Sequence, residues 1–359
     1  MTVGRITTIA EFDAERERWE ALERLDPHVT VFTTWRWLRA YLPAARYRWT
    51  ILALRDADGN ALAYLPIAHG GSLLDRELFM GANPVADYTG MLARPEDTEI
   101  AVRALADALA REPWDGFNLN DVLDPRLEQV VQRLAERGMT IESNVQNRCL
   151  SCALPATWDA YVTTCISSKT RTNTVRVERR LAEALPAFRI SEPTDGDLDA
   201  HIEATIAMNL ARWGGNLRTA RRRFGPLFRN LHAQGLLRMF VYWDGTKPIA
   251  AAAAFTDAIH SSFGLYMIGF DESYAKFSPG KGIVARAIRA AIEAGYARFD
   301  FLRGDEPFKE RYASDVHLTQ QYRLSRPGLR ARTVAWARPK VLAVKLAIAN
   351  RIYRPDRPA

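Results

Sequence analysis

Two stretches of this chain lay out one order of elements twice. In WTILALRDADGNALAYLPIAHGG, residues 49–71, two apolar runs meet at Asp58-Gly59, a dipeptide that accepts the positive φ of a tight hairpin turn. In LRMFVYWDGTKPIAAAAAFTDAIHSSFGLYMIGF, residues 237–270, Asp244-Gly245 does the same and a further strand follows. Each hairpin is followed by a helical pattern, EDTEIAVRALADALAREPW and GIVARAIRAAIEAGY, and then by a short strand, GFNLNDV and RFDFLRG. In the first helix Ile100, Leu105 and Leu109 fall near one face. Asp58 lies 59 positions before Phe117, and Asp244 lies 55 before Phe299. The repeated order and spacing predict an α/β fold made of two tandem copies of one unit, each a mixed central sheet flanked by helices. The units run from 1 to 155 and from 156 to 325, with an extension over 326–359.

The copies differ where their helices begin. The first has LARPEDTE, whose three acids complement the helix dipole but would repel a phosphate. The second has FSPGKG, residues 277–282, between a strand and a helix. A helix start offers unpaired N–H groups and partial positive charge, and so a place for an anion. Gly280 and Gly282 remove side chains from the approach, and Pro279 fixes φ near about −65°. Ser278 can cap the helix or bond an oxygen, Lys281 adds charge, and Ile283 begins the apolar face. The ordinary alternative is a capped turn with no ligand. The repeat and the strand after the helix favour the ligand.

The net charge of +7 is unevenly placed. Residues 326–359 carry nine Lys or Arg and one acid, so the remaining 325 residues sum to −1. This argues against a general nucleic-acid surface. The tail reads as a basic amphipathic helix over residues 339–353, suited to an anionic membrane surface or to docking on its own domain. No apolar run reaches the ~18 residues needed to span a bilayer, and the N-terminus lacks the pattern of a secretory signal. With only Cys149, Cys152 and Cys165 the chain fits a reducing cytoplasm, peripheral to the membrane if the tail binds there. One Cys-x-x-Cys without a second pair and six histidines without ligand spacing give no expectation of a metal. No Gly-x-Ser-x-Gly elbow is present.

FSPGKG, a helix, and then FDFLRGDEPFKERY resemble the GNAT-like acyltransferases of the CelD/BcsL type, linked to cellulose biosynthesis and related to the FemABX peptidyltransferases. FTTWRWLRAYL, FMGANPVADYTGML, SSKTRTNTVRVERRL and GFDESYAKFSPG are similar to other segments of that family, so the resemblance covers residues 30–325. It implies acyl-CoA as co-substrate, gripped at Ser278, Pro279, Gly280, Lys281, Gly282 and Ile283. It also implies an amine acceptor, on a small molecule or a sugar of an exopolysaccharide precursor. FDFLRGDEPFKERY carries the candidate machinery. Strand alternation sets Phe299 and Phe301 toward the core and Asp300 the other way. Asp305 or Glu306 is the candidate base, with Asp300 orienting it, Lys309 contacting an anion and Tyr312 as acid for the leaving thiolate. Asp87 and Tyr88 on the first unit, and Asp271 and Arg303 on the second, are candidates for the acceptor side. The basic stretches KTRTNTVRVERR and RWGGNLRTARRRFGPLFRN read either as solvated helix surface or as a lining for an anionic ligand: CoA phosphates, a nucleotide-linked or lipid-linked sugar, or tRNA. The alternatives to acyl-CoA transfer are an aminoacyl-tRNA donor and a non-catalytic scaffold.

Overall fold

Local chemistry sets the element boundaries in the computed structural model, which describes residues 1–72 and 75–327. The strands are β1 (Thr2–Ile6), β2 (Arg48–Arg55), β3 (Ala61–Gly71), β4 (Arg76–Met80), β5 (Leu92–Ala93), β6 (Gly116–Val122) and β7 (Thr140–Ala153), followed by β8 (Phe188–Ser191), β9 (Leu237–Asp244), β10 (Lys247–Asp257), β11 (Ser262–Phe270), β12 (Arg298–Arg303) and β13 (Asp315–Ser325). The helices are α1 (Ile9–Ala14), α2 (Arg16–Glu23), α3 (Trp35–Tyr41), α4 (Thr98–Arg111), α5 (Pro125–Glu136) and the short α6 (Trp158–Ala160), then α7 (Ser168–Val175), α8 (Val177–Ala184), α9 (Leu198–Trp213), α10 (Leu217–Ala233) and α11 (Pro279–Glu293). A capping box of Thr8 and Glu11 starts α1. The Asp-Gly turns form as their residue types predict, with φ 84° at Gly59 and 61° at Gly245, and each closes an antiparallel hairpin. Helices α1 and α2 are separated at Glu15, whose carboxylate turns inward to the Tyr64 hydroxyl (2.6 Å) and Arg55 (2.7 Å). Ile100 points to solvent, and Ala101, Val102, Leu105, Ala106 and Leu109 form the buried face of α4.

Among the described residues thirteen strands make one sheet, in the order β1-β2-β3-β4-β6-β13-β7-β12-β11-β10-β9-β8, with β5 on β3. The two halves exchange their last strands. β7 closes the first unit in sequence yet pairs with β12, while β13 closes the second and pairs with β6. The exchanged strands also pair with each other, antiparallel, from Asp315↔Ser151 to Ser325↔Thr140. Cys149 and Cys152 on β7 are both buried but join different cores on opposite faces of the sheet, so they cannot pair.

Helices α4 and α5 cover the N-terminal half on one face, packing Leu105, Leu109, Leu127 and Val130 against β2, β3 and β6. Helices α7, α8 and α11 cover the C-terminal half, with Ile283, Val284 and Ile288 against Phe240, Phe263, Phe299 and Phe301. A third core spans both halves. It holds Phe12, Trp19, Trp35 and Trp37 together with Ile202, Phe228, Phe255, Met267 and Leu302. Arg126 at the start of α5 is buried between Asp26 (2.9 Å) and Asp124 (2.8 Å), and its other donors reach the Met91 and Ala93 carbonyls. No described helix is long and apolar enough to cross a membrane. The basic helix expected over residues 339–353 lies outside the described residues.

Candidate functional site

Strands β11 and β12 are parallel neighbours only from Ser262↔Arg298 to Gly264↔Asp300, and beyond that pair they part. A register shift against β10 sits just above the fork, where Ala254 faces Leu265 and Ala253 faces Met267. Tyr266 is thus the extra residue of a bulge, and a bulge leaves main-chain groups free of the ladder. Across the fork Leu302 has φ 55° and β12 shifts register against β7 between Asp300 and Arg303. Gly264 packs closely here, where a Cβ would lie 3.2 Å from the Leu302 side chain and the leucine would have to yield. This parting of strands leaves a gap in the ladder beyond Gly264 and Asp300.

Helix α11 begins beside that opening. The structure revises the reason for its glycines. A Cβ on Gly282 would lie 2.6 Å from Val177 and 3.1 Å from Tyr242, and one on Gly280 would lie 2.8 Å from the Phe270 ring. Both glycines permit close packing; they do not bare the loop toward solvent. Ser278 adopts the left-handed conformation (φ 58°, ψ 46°) and its side chain makes no cap hydrogen bond. Its carbonyl accepts instead from the Lys281 (3.0 Å) and Gly282 (3.4 Å) amides. Gly282→Ala is therefore expected to destabilise the protein by about 1–3 kcal/mol through overpacking, read as a lower midpoint in urea unfolding.

What opens beside α11 is lined by side chains. A cavity of about 510 Å³ lies on the other sheet face, and one of about 460 Å³ lies here, bounded by Ser167, Lys169, Thr170 and Asn173 of α7 and its cap, with Lys281, Arg311 and Tyr312. Among the described residues none of Lys169, Lys281 and Arg311 is in an ion pair, so the cavity holds unneutralised positive charge. Tyr312 is buried, its hydroxyl lies 3.2 Å from Thr174 Oγ1, and burial pushes its pKa up, which keeps the phenol protonated. Sequence reasoning placed Lys281 and Tyr312 at a ligand. It passed over Arg311, and it left the basic stretch from Lys169 open between a solvated helix surface and a lining for an anionic ligand such as the phosphates of coenzyme A.

The loop after β12 distributes the other candidates unevenly. Lys309 is buried, and its ammonium is spent on the Arg303 carbonyl (2.7 Å), the Gly304 carbonyl (3.0 Å) and Glu306 (2.8 Å). These contacts close the turn in which Gly304 has φ 102°. Asp305 is exposed. Asp271 accepts from the Ser273 amide and hydroxyl and pairs with Lys247 (2.7 Å), at the start of the turn leading toward α11 and outside both cavities.

Asp87 and Tyr88 cross from the first half to β12. Asp87 pairs with Arg303 (3.0 Å), which also holds Asp121 (3.1 Å). Burial pushes the Asp87 carboxyl up to about 7, with Arg303 opposing. Tyr88 points the other way, its hydroxyl 3.0 Å from both oxygens of Asp300 and 2.7 Å from His317 Nε2. Burial raises Asp300, with His317 opposing, and it lowers His317, with Asp300 opposing. Sequence reasoning missed His317 and Asp121. His317 carries no motif spacing, and only the register of β13 brings it to Tyr88.

Comparison with known proteins agrees with this architecture. Residues 168–310 match the Acetyltransferase (GNAT) domain family. Among curated protein sequences none matches the chain. Of solved structures, FemX is similar with a TM-score of 0.62 at 12% identity, over 90% of this chain and 97% of that one. A tandem GNAT protein from the clavulanic acid biosynthesis pathway gives 0.54 at 8%, over 91% and 100%. The C-terminal domain of a putative lysylphosphatidylglycerol synthetase from Agrobacterium fabrum gives 0.51 at 10%, over 90% and 96%. The fold is thus GNAT-like across both halves, and the match of residues 168–310 to the acetyltransferase (GNAT) domain family supports an acyltransferase.

Proposed function

We propose that the protein transfers an acyl group from acyl-CoA to an amine, on a small molecule or on a sugar of an exopolysaccharide precursor, as an enzyme of the CelD/BcsL type. The observation that carries this is the 460 Å³ cavity beside the start of α11, where Lys169, Lys281 and Arg311 have no counter-ion among the described residues. Three cations interleaved with the hydroxyls of Ser167 and Thr170 and the amide of Asn173 fit the phosphates of coenzyme A. When bound, the thioester supplies an activated carbonyl. The chain's own residues hold the phosphates, exclude water beneath α7, and keep a proton on the Tyr312 hydroxyl for a leaving thiolate. The Tyr266 bulge at the fork offers main-chain groups near the arm of the donor. Calorimetric titration with coenzyme A, followed by thiol release from acetyl-CoA on adding amines, tests the reading. Absence of coenzyme A binding would remove it.

A second reading, aminoacyl-tRNA as donor, is favoured by α10. Arg221 and Arg229 there are paired with Glu203 and Asp199, whereas exposed Arg218 and Arg222 have no ion pair among the described residues. Binding of bulk tRNA with no response to coenzyme A would favour it over the first. We also propose a cytoplasmic protein that touches anionic membrane through residues 328–359. Equal sedimentation with anionic vesicles, with and without that segment, would count against this.

A further inference from the structure

The cavity of about 510 Å³ lies on the sheet face opposite α11 and meets the sheet at the fork, since Gly264 and Asp300, the last paired residues of β11 and β12, both line it. Its walls are of two kinds. Val29, Val31, Phe32 and Phe255 make an apolar side. Tyr88, Asp300 and His317 make a polar end at the fork. Arg298 keeps its charge, since its partner Ser151 Oγ (2.7 Å) is neutral, while His260 is paired with Asp257 (3.1 Å). The carboxyl groups of Asp257 and Asp300 line the same cavity and set it against a phosphorylated ligand.

The polar end has a defined proton order. An ionised Asp300 accepts the Tyr88 hydroxyl proton, and the Tyr88 oxygen accepts from His317 Nε2. Nδ1 of His317 is then the nitrogen with the lone pair, and it has no partner among the described residues. We propose that this cavity is the acceptor pocket, that it takes a primary amine with an apolar or aromatic body, and that His317 Nδ1 accepts the amine proton while Tyr88 and Asp300 position the imidazole. This rests on the acyl-transfer reading above. The ammonium gives one proton to Nδ1, and its nitrogen attacks the thioester carbonyl at the fork. The C–N bond forms as the C–S bond breaks. The thiolate takes the Tyr312 proton and leaves as thiol, the second amine proton restores the Tyr312 hydroxyl, and His317 returns the first to solvent.

Burial lowers His317 below its ordinary value, with Asp300 pulling the other way. The charged and titratable groups facing it are Asp300 and Arg298 on β12, Asp315 on β13, Cys149 on β7 and Tyr88 from the first half. Activity should therefore rise with pH along a limb centred below about 6.5, the ordinary histidine value.

The test uses the full chain and 2-phenylethylamine as probe, with glucosamine 6-phosphate as contrast. The unaltered protein is expected to bind phenylethylamine at least about 10-fold more tightly than the phosphorylated sugar. Ser262→Phe and Thr30→Phe, which fill the cavity from separate walls, should each weaken phenylethylamine at least about 10-fold and leave coenzyme A unaffected. His317→Gln should lower kcat/KM with acetyl-CoA about 100-fold or more and abolish the low-pH limb. Tyr88→Phe should shift that limb while phenylethylamine affinity stays within about 3-fold. No phenylethylamine binding by the unaltered chain, preference for the sugar phosphate, or an unchanged limb in His317→Gln overturns the proposal. Coenzyme A titrated into the same proteins separates the two readings. Amine binding without coenzyme A binding removes the donor assignment and leaves the pocket standing, whereas coenzyme A binding without amine binding removes the pocket.

Discussion

A protein carrying Lys281→Glu together with Arg311→Glu is expected to bind coenzyme A at least about 100-fold more weakly than the unaltered chain. Each hydrogen bond between a guanidinium or ammonium and a phosphate contributes about 1.5–3 kcal/mol, and a tenfold change in affinity is about 1.4 kcal/mol. Loss of two such bonds therefore exceeds a hundredfold before any repulsion from the new carboxylates is added. Salt gives an independent readout. The dissociation constant of the unaltered chain should rise steeply with ionic strength, and that dependence should flatten in the double variant. Arg103→Glu, on the exposed face of α4 far from the cavity, serves as the control and should change affinity less than about twofold. If the double variant binds coenzyme A as the parent does, the side chains beside α11 are not the phosphate cradle.

Arg126→Met should have the largest effect on stability, about 3–5 kcal/mol. The Asp26, Asp124 and Arg126 side chains are almost wholly buried, at 0%, 1% and 3% exposure. Removing the guanidinium strands two carboxylates and leaves the Met91 and Ala93 carbonyls short of donors. At roughly 2–4 °C per kcal/mol for a domain of this scale, the melting midpoint should fall by at least about 6 °C. Asp26→Asn and Asp124→Asn added to Arg126→Met should recover part of the loss, because neutral amides cost less to bury than unpaired charges. A single variant as stable as the parent would show that the cluster is hydrated in solution.

Much of the fold was legible because its signals are local. An Asp-Gly pair turns a hairpin within four residues, and apolar periodicity marks α4 and α11 without reference to the rest of the chain. The strand exchange was not legible. β13 meets β6 across roughly two hundred residues, and nothing in its own sequence distinguishes that edge from the edge of β12. The same distinction runs through the candidate site. Asp87, Tyr88, Asp300 and Arg303 stand out in quotable motifs, and the structure brings these side chains into contact. His317 and Arg311 sit in stretches without a pattern, and only long-range register places them. The glycines of FSPGKG show a different limit. Their position was readable from sequence, but their physical reason, the nearness of Val177, Tyr242 and Phe270, belongs to tertiary packing.

The exchange of β7 and β13 also bears on how ligands come and go. Each half completes its sheet with a strand borrowed from the other, so swinging the halves apart would mean tearing a continuous ladder from Ser151 to Thr140. Opening of that seam would cost the β7–β13 ladder along its length, so it is not expected to serve as a route of access. Traffic to the fork has to pass through the surface segments that border it, and the chain should melt in one step, as a single object that proteases cannot divide into two stable pieces.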